Sequence, residues 1–529
     1  MRLPSVSKKH HVSVNPRIEV QRSVFDLSHG HKTTFDAGKL IPVMCLDVIP
    51  GDTLSIDATM FARLATPIYP LMDNMKMDIH FFFVPDRILW TNFVKMMGEQ
   101  TNPGDSIAYM TPIVTVNAGA GVGFTAGSLY DYLGIPTEVD DISVNNLPAR
   151  AYNQIYNEWY RDQNIISSIT IDLGDGPDTI SNYVIRNRAK KQDYFTTCLA
   201  TPQKGSAVSI PLGTTAPVLG IGTTTNANVG STASVRESGG TTRTFNDSWI
   251  GNSGANSFYL EEAGTTNYPS IYANLAVASS ATINELREAF ATQQLLERDA
   301  RGGTRYPEMI LSQYGVNSPL GVIQNRPEYL GGGSADLIVT PIAQTAITAG
   351  SNALGDLAGM GTFTGRAGFT KSFTEFGWVM AIVSTRGDLT YTQGISRKFA
   401  RRDRYDYYIP VFAHLGEQAV LKQEIYATET AATNIETFGY QERYAEYRME
   451  HSKATGLFRP NHATTLAAWH LAQEFGSMPS LNQTFIEETP PMTRVIAVTT
   501  EPHFIFDSVF KVKAVRPMPL YSVPGLERL

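Results

Sequence analysis

Cysteine is nearly absent from this sequence, and so are long apolar runs. Cys45 and Cys198 are its only two cysteines, too few for a disulfide framework or a structural zinc site, which favours a reducing compartment. The most apolar window, residues 79–90, is interrupted by a proline and two charged residues, so we expect no transmembrane helix and no membrane insertion. The N-terminus is basic but lacks the apolar segment of a signal peptide, which argues against secretion by that route.

Short catalytic motifs are missing as well. The sequence contains no phosphate-binding Walker loop, no His-Glu-x-x-His zinc motif and no Gly-x-Ser-x-Gly nucleophile motif. Asp172, Asp175 and Asp178 could offer oxygen ligands to a hard cation such as calcium. Because their spacing differs from that of an EF-hand loop, we prefer a plain acidic turn, and a metal site there is the weaker alternative.

Charged residues are scarce, at 18% of the chain, and the net charge is −7. Two segments are nevertheless strongly basic. Residues 397–404 contain five basic residues against one acidic residue, and residues 1–23 show the same excess. The basic residues of the N-terminal arm are Arg2, Lys8, Lys9, Arg17 and Arg22. Position along the chain, more than the total, therefore decides where polyanions could bind.

The run at 397–404 is followed by tyrosines and allows two interpretations. Its side chains could hold phosphates and stack on unpaired bases, as in single-strand binding proteins. Alternatively, its arginines pair with carboxylates across a subunit boundary. We prefer the second interpretation, because Asp403 and Asp406 lie within or beside the run. The candidates for either role are Arg397, Lys398, Arg401, Arg402, Arg404, Tyr407 and Tyr444.

Strand patterns dominate both ends of the chain. We predict strands within residues 40–65, 75–85, 377–391, 407–415 and 503–518, with a turn at Pro50–Asp52. No regular alternation of strands and helices joins them, so an antiparallel sandwich or barrel that pairs early strands with late ones is the expected architecture. The predicted helices are few and lie at 87–98, after Pro148, at 282–303 and at 464–476.

Residues 205–260 differ from the rest of the chain. They contain nine glycines, nine threonines and only four charged residues, without a sustained helical or strand period. A flexible linker is one interpretation. Short hairpins held together by neighbouring copies of the chain are the other, since a charge-poor segment does not repel itself into solution.

Seven long strings, in order along nearly the whole chain, resemble the major capsid proteins of the microviruses, small single-stranded DNA bacteriophages, and specifically their gokushovirus branch. The strings are SVFDLSHGHKTTFDAGKLIPV (23–43), PGDTLSIDATMFARLATPIYPLMDN (50–74), NELREAFATQQLLERDARGGTRYPEMI (284–310), RPEYLGG (326–332), RRDRYDYYIPVFAHLGEQAV (401–420), FGYQERYAEYR (438–448) and KAVRPMPLYSVPG (513–525). The resemblance implies an eight-stranded antiparallel viral jelly-roll barrel with long loop insertions and a few short helices. It implies a structural protein without catalytic groups or cofactors.

The resemblance also implies a place in the virion. Such proteins self-assemble into an icosahedral shell, with one copy per asymmetric unit, around a circular single-stranded DNA genome, and they assemble in the bacterial cytoplasm. Other phage proteins, namely internal scaffolding, DNA-binding and pilot proteins, are the further partners that we expect. The alternatives from other classes are a carbohydrate-active β-sandwich enzyme of the phage depolymerase type, since carboxylate pairs are not visible from spacing, and an adhesin.

The implied domain organisation has three parts. Residues 1–40 form a basic arm and first loop, which either faces the genome or fastens neighbouring subunits together. Residues 41–529 form a single jelly-roll capsid domain with insertions between its strands. Within it, residues 205–260 match the position of an insertion that projects at the threefold axes and meets the host receptor. The residues that mark this surface protrusion are Gly222, Val229, Arg236 and Gly240.

Overall fold

The computed structural model describes residues 21–116, 123–206, 208, 283–317, 325–343 and 357–521, together with the backbone of short strands between residues 218 and 273. The chain divides into two compact units. One unit is Gln203–Gly303, and the other comprises the residues before and after it. Arg2, Lys8, Lys9 and Arg17 lie outside the described residues, as do Val229 and Gly240.

The larger unit is built mainly from β-strands. Ten strands form its two antiparallel sheets: β1 (Ser23–Asp26), β2 (His29–Phe35), β3 (Ile41–Val48), β4 (Thr53–Leu64), β5 (Met75–Pro85), β6 (Glu328–Asp336), β7 (Ile338–Ala343), β8 (Leu357–Ser372), β9 (Gly377–Gly387) and β10 (Phe504–Arg516). The predicted turn between β3 and β4 is present, and Gly51 has the positive φ that the turn needs. The two strands that it joins belong to different sheets.

The first sheet places the beginning of the chain beside its end. β1 and β2 follow one another along β10, which pairs with β4, and the sheet continues through β8 to β7. The second sheet has the order β6, β5, β9, β3. The predicted pairing of early with late strands is therefore confirmed. Of the two expected architectures, the described part of the chain fits the sandwich: its two large sheets form separate ladders that do not close into a barrel.

The main hydrophobic core is shared by the two sheets. β4 alternates strictly, with Leu54, Ile56 and Ala58 buried and the residues between them turned outward, as the two-residue period of a strand requires. β5 is covered on both faces along most of its length. Phe81 packs into the shared core and Phe82 into a second cluster under a helix. Around these residues the second sheet therefore lies between two apolar layers.

Helices occupy the connections. The three longest are α1 (Leu147–Ile155), which continues as a π-helical turn (Tyr156–Tyr160), α2 (Ile283–Arg301) and α3 (Tyr306–Tyr314). Single turns of α-helix occur at Asp86–Leu89, Phe93–Met96, Leu129–Tyr132, Arg397–Ala400, Lys422–Ile425, Ala431–Asn434 and Gln483–Ile486. The helices expected after Pro148 and at 282–303 are confirmed, and α2 ends directly before Gly302. No helix among the described residues is long and apolar enough to span a bilayer.

Two sequence predictions fail in the connection between β9 and β10. Residues 407–415 were expected to form a strand but contain only a 3₁₀ turn at Pro410–Phe412, since Pro410 cannot donate a ladder hydrogen bond. The helix expected at 464–476 is reduced to a 3₁₀ turn at Ala467–Trp469. Short strand pairs support the loops instead, at Ile113–Thr115 with Ser143–Asn145, Glu417–Leu421 with Thr437–Glu442, and Thr390–Tyr391 with Ser452–Lys453.

The smaller unit combines helix α2 with short hairpins. Ile221–Thr223, Ala233–Glu237 and Thr242–Phe245 form a three-stranded sheet, in which Arg236 is opposite Gly222. Val218–Leu219 pairs with Tyr272–Ala273, and Glu261–Glu262 pairs with Thr265–Pro269.

Candidate assembly surface

The basic run at 397–404 belongs to the long connection between β9 and β10. Its helical turn Arg397–Ala400 lies close to the hairpin of Glu417–Leu421 and Thr437–Glu442. A third hydrophobic cluster, which contains Phe195, Val420 and Phe438, anchors that hairpin. The basic run is thus held against a hairpin that a hydrophobic cluster anchors.

Three basic side chains of the run bind carboxylates of the same chain. The Arg397 guanidinium lies 3.2 Å from the buried Glu424 carboxylate, and it donates to the Ala419 carbonyl at 2.7 Å. Burial raises the pKa of Glu424, and the charge of Arg397 opposes that rise. Arg397 therefore has its carboxylate partner within the chain, and pairing across a subunit boundary stays a prediction for the rest of the run.

Arg401 and Lys398 follow the same pattern. Arg401 lies 3.6 Å from the Glu446 carboxylate, and Lys398 lies 3.0 Å from the Glu450 carboxylate. Sequence reasoning missed these acidic partners. The string 438–448 contains Glu446, which lies 45 positions after Arg401. Their spacing in the sequence does not indicate that the two side chains form an ion pair.

Tyr444 supports the fold and was misjudged as a contact residue. It is buried, at 3% exposure, and its backbone has a positive φ. Its hydroxyl donates to the Tyr407 carbonyl at 3.2 Å and lies 3.3 Å from the Ile409 amide nitrogen, which donates to it. The Tyr444 side chain therefore holds the backbone on both sides of residue 408 through hydrogen bonds. Because it is buried, it is not available to a partner.

Residues 399–415 expose many large apolar groups. We call them the aromatic segment. Its exposed large apolar side chains are Phe399, Tyr405, Tyr407, Tyr408, Val411 and Leu415. The Arg401 guanidinium lies 4.2 Å from the centre of the Tyr447 ring and 5.6 Å from that of Tyr407, which orients both rings. Exposed apolar groups at this density mark interaction surfaces.

Arg402 and Arg404 extend from the same segment. Both are exposed, and neither forms an ion pair with any side chain of the described residues. They are the two members of the basic run that keep their charge available to a partner. Tyr407, at 55% exposure, lies beside them in the sequence.

The acidic turn at 172–178 binds protein donors. Asp178 is buried and forms a salt bridge of 2.6 Å with Arg150, both side chains being fully buried. Burial would raise the pKa of Asp178, but hydrogen bonds from Arg150, Asn146 and Tyr183 hold it below its ordinary value. Within the described ranges, no three His, Cys, Asp or Glu side chains are grouped so that they could hold a metal ion.

The remaining two carboxylates of the turn are also occupied. Asp175 accepts hydrogen bonds from the Trp90 indole at 2.7 Å and the Asn92 amide at 2.8 Å. Asp172 accepts from the Gly174 amide at 2.9 Å. The turn therefore fastens loops of the larger unit together.

Of the N-terminal and protruding candidates, Arg22, Gly222 and Arg236 lie within the described residues. Arg22 donates to the Gly51 carbonyl at 2.5 Å and to the Thr53 hydroxyl at 3.1 Å. Gly222 and Arg236 lie in the small sheet of the second unit. The genome-facing role of the arm and the receptor role of residues 205–260 stay predictions.

A family model for the phage capsid protein, or F protein, matches residues 13–526. The chain belongs to this capsid protein family. It is a structural, non-enzymatic protein of the virion shell, and the resemblance to microvirus capsid proteins is confirmed. This membership favours the capsid interpretation over the carbohydrate-active enzyme and the adhesin.

Three relatives cover the capsid chain almost from end to end. It is 43% identical to capsid protein VP1 of Bdellovibrio phage phiMH2K, over 99% of both chains. It is 39% identical to capsid protein VP1 of Chlamydia phage 1, over 100% of this chain and 99% of that protein. Capsid protein VP1 of Spiroplasma virus 4 is 32% identical, over 99% and 98% of the respective chains.

Proposed function

We propose that eight strands of the larger unit form the viral jelly roll. Four antiparallel pairs support this: β2 with β10, β3 with β9, β4 with β8, and β5 with β6. A long hairpin of four such pairs, folded over so that alternate pairs fall into opposite sheets, gives a jelly roll. β1 extends the edge made by β2, and β7 adds an outer strand beside β8.

We further propose that copies of this subunit contact one another through the aromatic segment as they close an icosahedral shell around a circular single-stranded DNA genome. One observation favours a protein over DNA as the partner of this surface. Carboxylates of the same chain already neutralise Arg397, Lys398 and Arg401. What remains exposed is aromatic surface with two free arginines, the composition of a protein interface core.

Truncation of Tyr407 tests this contact. Loss of an anchoring tyrosine costs about 2 kcal/mol or more in an interface, so Tyr407→Ala should weaken subunit association about thirtyfold and sharply lower the yield of particles in electron micrographs. The unassembled subunit should keep its unfolding temperature, because the side chain is exposed.

Two variants serve as controls. Tyr314→Ala removes a tyrosine that is also exposed, at 75%, and should leave the particle yield unchanged. Tyr444→Ala should instead lower the unfolding temperature of the subunit, since that ring is buried. Normal particle yield from Tyr407→Ala would remove the aromatic segment from the interface.

The second unit is proposed as the part that projects from the shell and meets the host surface. Gln203–Gly303 forms a compact unit of its own, and its place in the chain is that of the insertion implied by the resemblance. Residues 222–240 contain no leucine, isoleucine or aromatic residue, as suits a tip that would otherwise repeat a sticky patch many times over the particle.

The basic arm is proposed to face the genome, since lysine and arginine bind DNA phosphates without reading sequence. Assembly in the bacterial cytoplasm with scaffolding, DNA-binding and pilot proteins completes this proposal. The two cysteines, neither of which forms a disulfide, suit that compartment.

A further inference from the structure

A large cavity opens beside the outer face of the second sheet, within the larger unit. Its volume is about 800 Å³, which lies within the range of small-ligand sites. β5 and β6 contribute one wall, the π-helical turn after α1 a second, and residues 188–196 a third. Neither the sequence motifs nor the assembly surface accounts for this cavity.

The cavity is electropositive. Five cationic side chains line it against two carboxylates, Asp78 and Asp162. The Asp78 carboxylate already has partners within the protein, since it accepts hydrogen bonds from Arg188 at 2.8 Å and from Arg386 at 2.9 Å. Buried Glu488, next to the arginines, offsets one further charge when it ionises, so an excess of positive charge remains. Such a cavity attracts an anion.

Two cations are the best placed to bind that anion. Lys191 is 57% exposed at its side chain, and its only described carboxylate partner, Asp388, is 3.9 Å away. Arg161 donates to the Ile166 carbonyl at 2.6 Å, and its Nε is buried without a hydrogen-bond partner among the described residues. Neither guanidinium nor ammonium is thus saturated by the protein.

Two aromatic side chains also line the cavity, Trp159 from the π-helical turn and Tyr329 from β6. Trp159 and Tyr329 face the cavity with ring centres 5.8 Å apart, and both keep more than a third of their surface exposed. Arg326 lies 4.2 Å from the centre of the Trp159 ring, which fixes the indole. His80 contacts Tyr329 edge-on, and burial with the nearby arginines lowers the pKa of His80 to about 4, which keeps it uncharged.

Gly332 leaves room for the side chains of Tyr329 and His80 beside the cavity. A Cβ at that position would lie 2.7 Å from both the Tyr329 hydroxyl and a His80 ring carbon. Any larger residue would therefore displace the aromatic side chains from their places. The sequence string 326–332 ends at this glycine.

We propose that this cavity binds a nucleotide unit of single-stranded DNA, with the base stacked on Tyr329 and Trp159 and a phosphate held by Lys191 and Arg161. The proposal rests on the proposed genome-enclosing function. A flat aromatic surface beside unsaturated cations is the combination by which proteins bind unpaired strands without reading their sequence. Duplex DNA does not fit the same site, because its bases are not free to stack on side chains.

Binding of a fluorescein-labelled oligothymidylate to the full-length protein before assembly tests the proposal. Tyr329→Leu removes the ring but keeps bulk, and it should weaken binding about fivefold to a hundredfold. Lys191→Gln should weaken binding and lower the slope of log affinity against log salt by about one. Tyr306→Leu and Lys32→Gln, which change exposed residues outside the cavity, should leave both quantities unchanged.

Competition separates the sources of the ligand. Unlabelled oligothymidylate should displace the probe, whereas thymidine monophosphate and inorganic phosphate should compete far more weakly. Equal competition by either small anion would overturn the assignment to a DNA strand. Unchanged affinity in both cavity variants, with an unaltered unfolding temperature, would overturn the site itself. Particle formation is followed in parallel, because loss of DNA binding with normal particles separates this site from the assembly function.

Discussion

At the scale of single residues, charge is mostly neutralised inside the subunit. Arg150 and Asp178 form a pair with no exposed side-chain surface, and Asp178 also accepts from the Tyr183 hydroxyl at 2.8 Å. Burying two charges is costly, so such a pair persists only where every remaining hydrogen bond is satisfied. Asn146 contributes a further donor to the same carboxylate.

Asp178→Asn should destabilise the unassembled subunit by about 3–5 kcal/mol, because it leaves the buried Arg150 without a counter-charge. Chemical unfolding measures the change. Since the pKa of Asp178 lies below its ordinary value, the wild type should lose this contribution as the pH falls below about 4, and the variant should not.

Asp172→Asn is the matched control for that measurement. Its side chain caps the Gly174 amide, and an asparagine can do the same. Its unfolding free energy should stay within about 0.5 kcal/mol of wild type. Equal losses in the two variants would show that the buried pair is not special.

At the scale of elements, strands that alternate were predicted well and strands without partners were not. β10 has Phe504, Phe506 and Phe510 in the core and Ile505 outside, as its two-residue pattern indicates. Residues 407–415 are equally rich in β-forming side chains, but Pro410 interrupts them. Strand propensity is expressed only where a ladder is at hand.

β10 provides a direct test of this alternation. Phe506→Ala should cost the unassembled subunit about 3–5 kcal/mol of unfolding free energy, because the ring is 1% exposed in the shared core. Ile505→Ala, at the adjacent and 60% exposed position, should change it by less than about 0.5 kcal/mol. A comparable loss at both positions would contradict the facing of the strand.

At the scale of the whole molecule, the two units are assigned different tasks. The larger unit carries the paired sheets, the aromatic segment and the electropositive cavity. The smaller unit is an insertion between residues 203 and 303. The first strands of the larger unit pair with its last strand, so its sheets are built from both ends of the chain. An insertion of almost any length between those ends is therefore compatible with its folding.

Deletion of residues 222–240 should therefore spare assembly and impair attachment. Electron microscopy should show particles at the wild-type yield, while adsorption of those particles to host cells should fall severalfold. The deletion removes strands of the small three-stranded sheet only. Collapse of particle formation would show that the segment is structural.

The family, the predominance of strands and the helices around Pro148 and Ile283 could all be predicted from the amino-acid sequence. These features depend on long shared strings and local periodicity, which are readable along the chain. The sequence also located the basic run and the acidic turn. Local patterning could not decide whether those charges would face a partner or one another.

The partners of those charges depend on the packing of the folded chain. Arg401 meets Glu446, and Asp178 meets Arg150, across 45 and 28 positions of the chain, because the packing of loops on a hydrophobic cluster brings them together. The burial of Tyr444 and the cavity between Tyr329 and Lys191 have the same origin. Contacts between distant segments depend on the register of the sheets, which residue spacing does not encode.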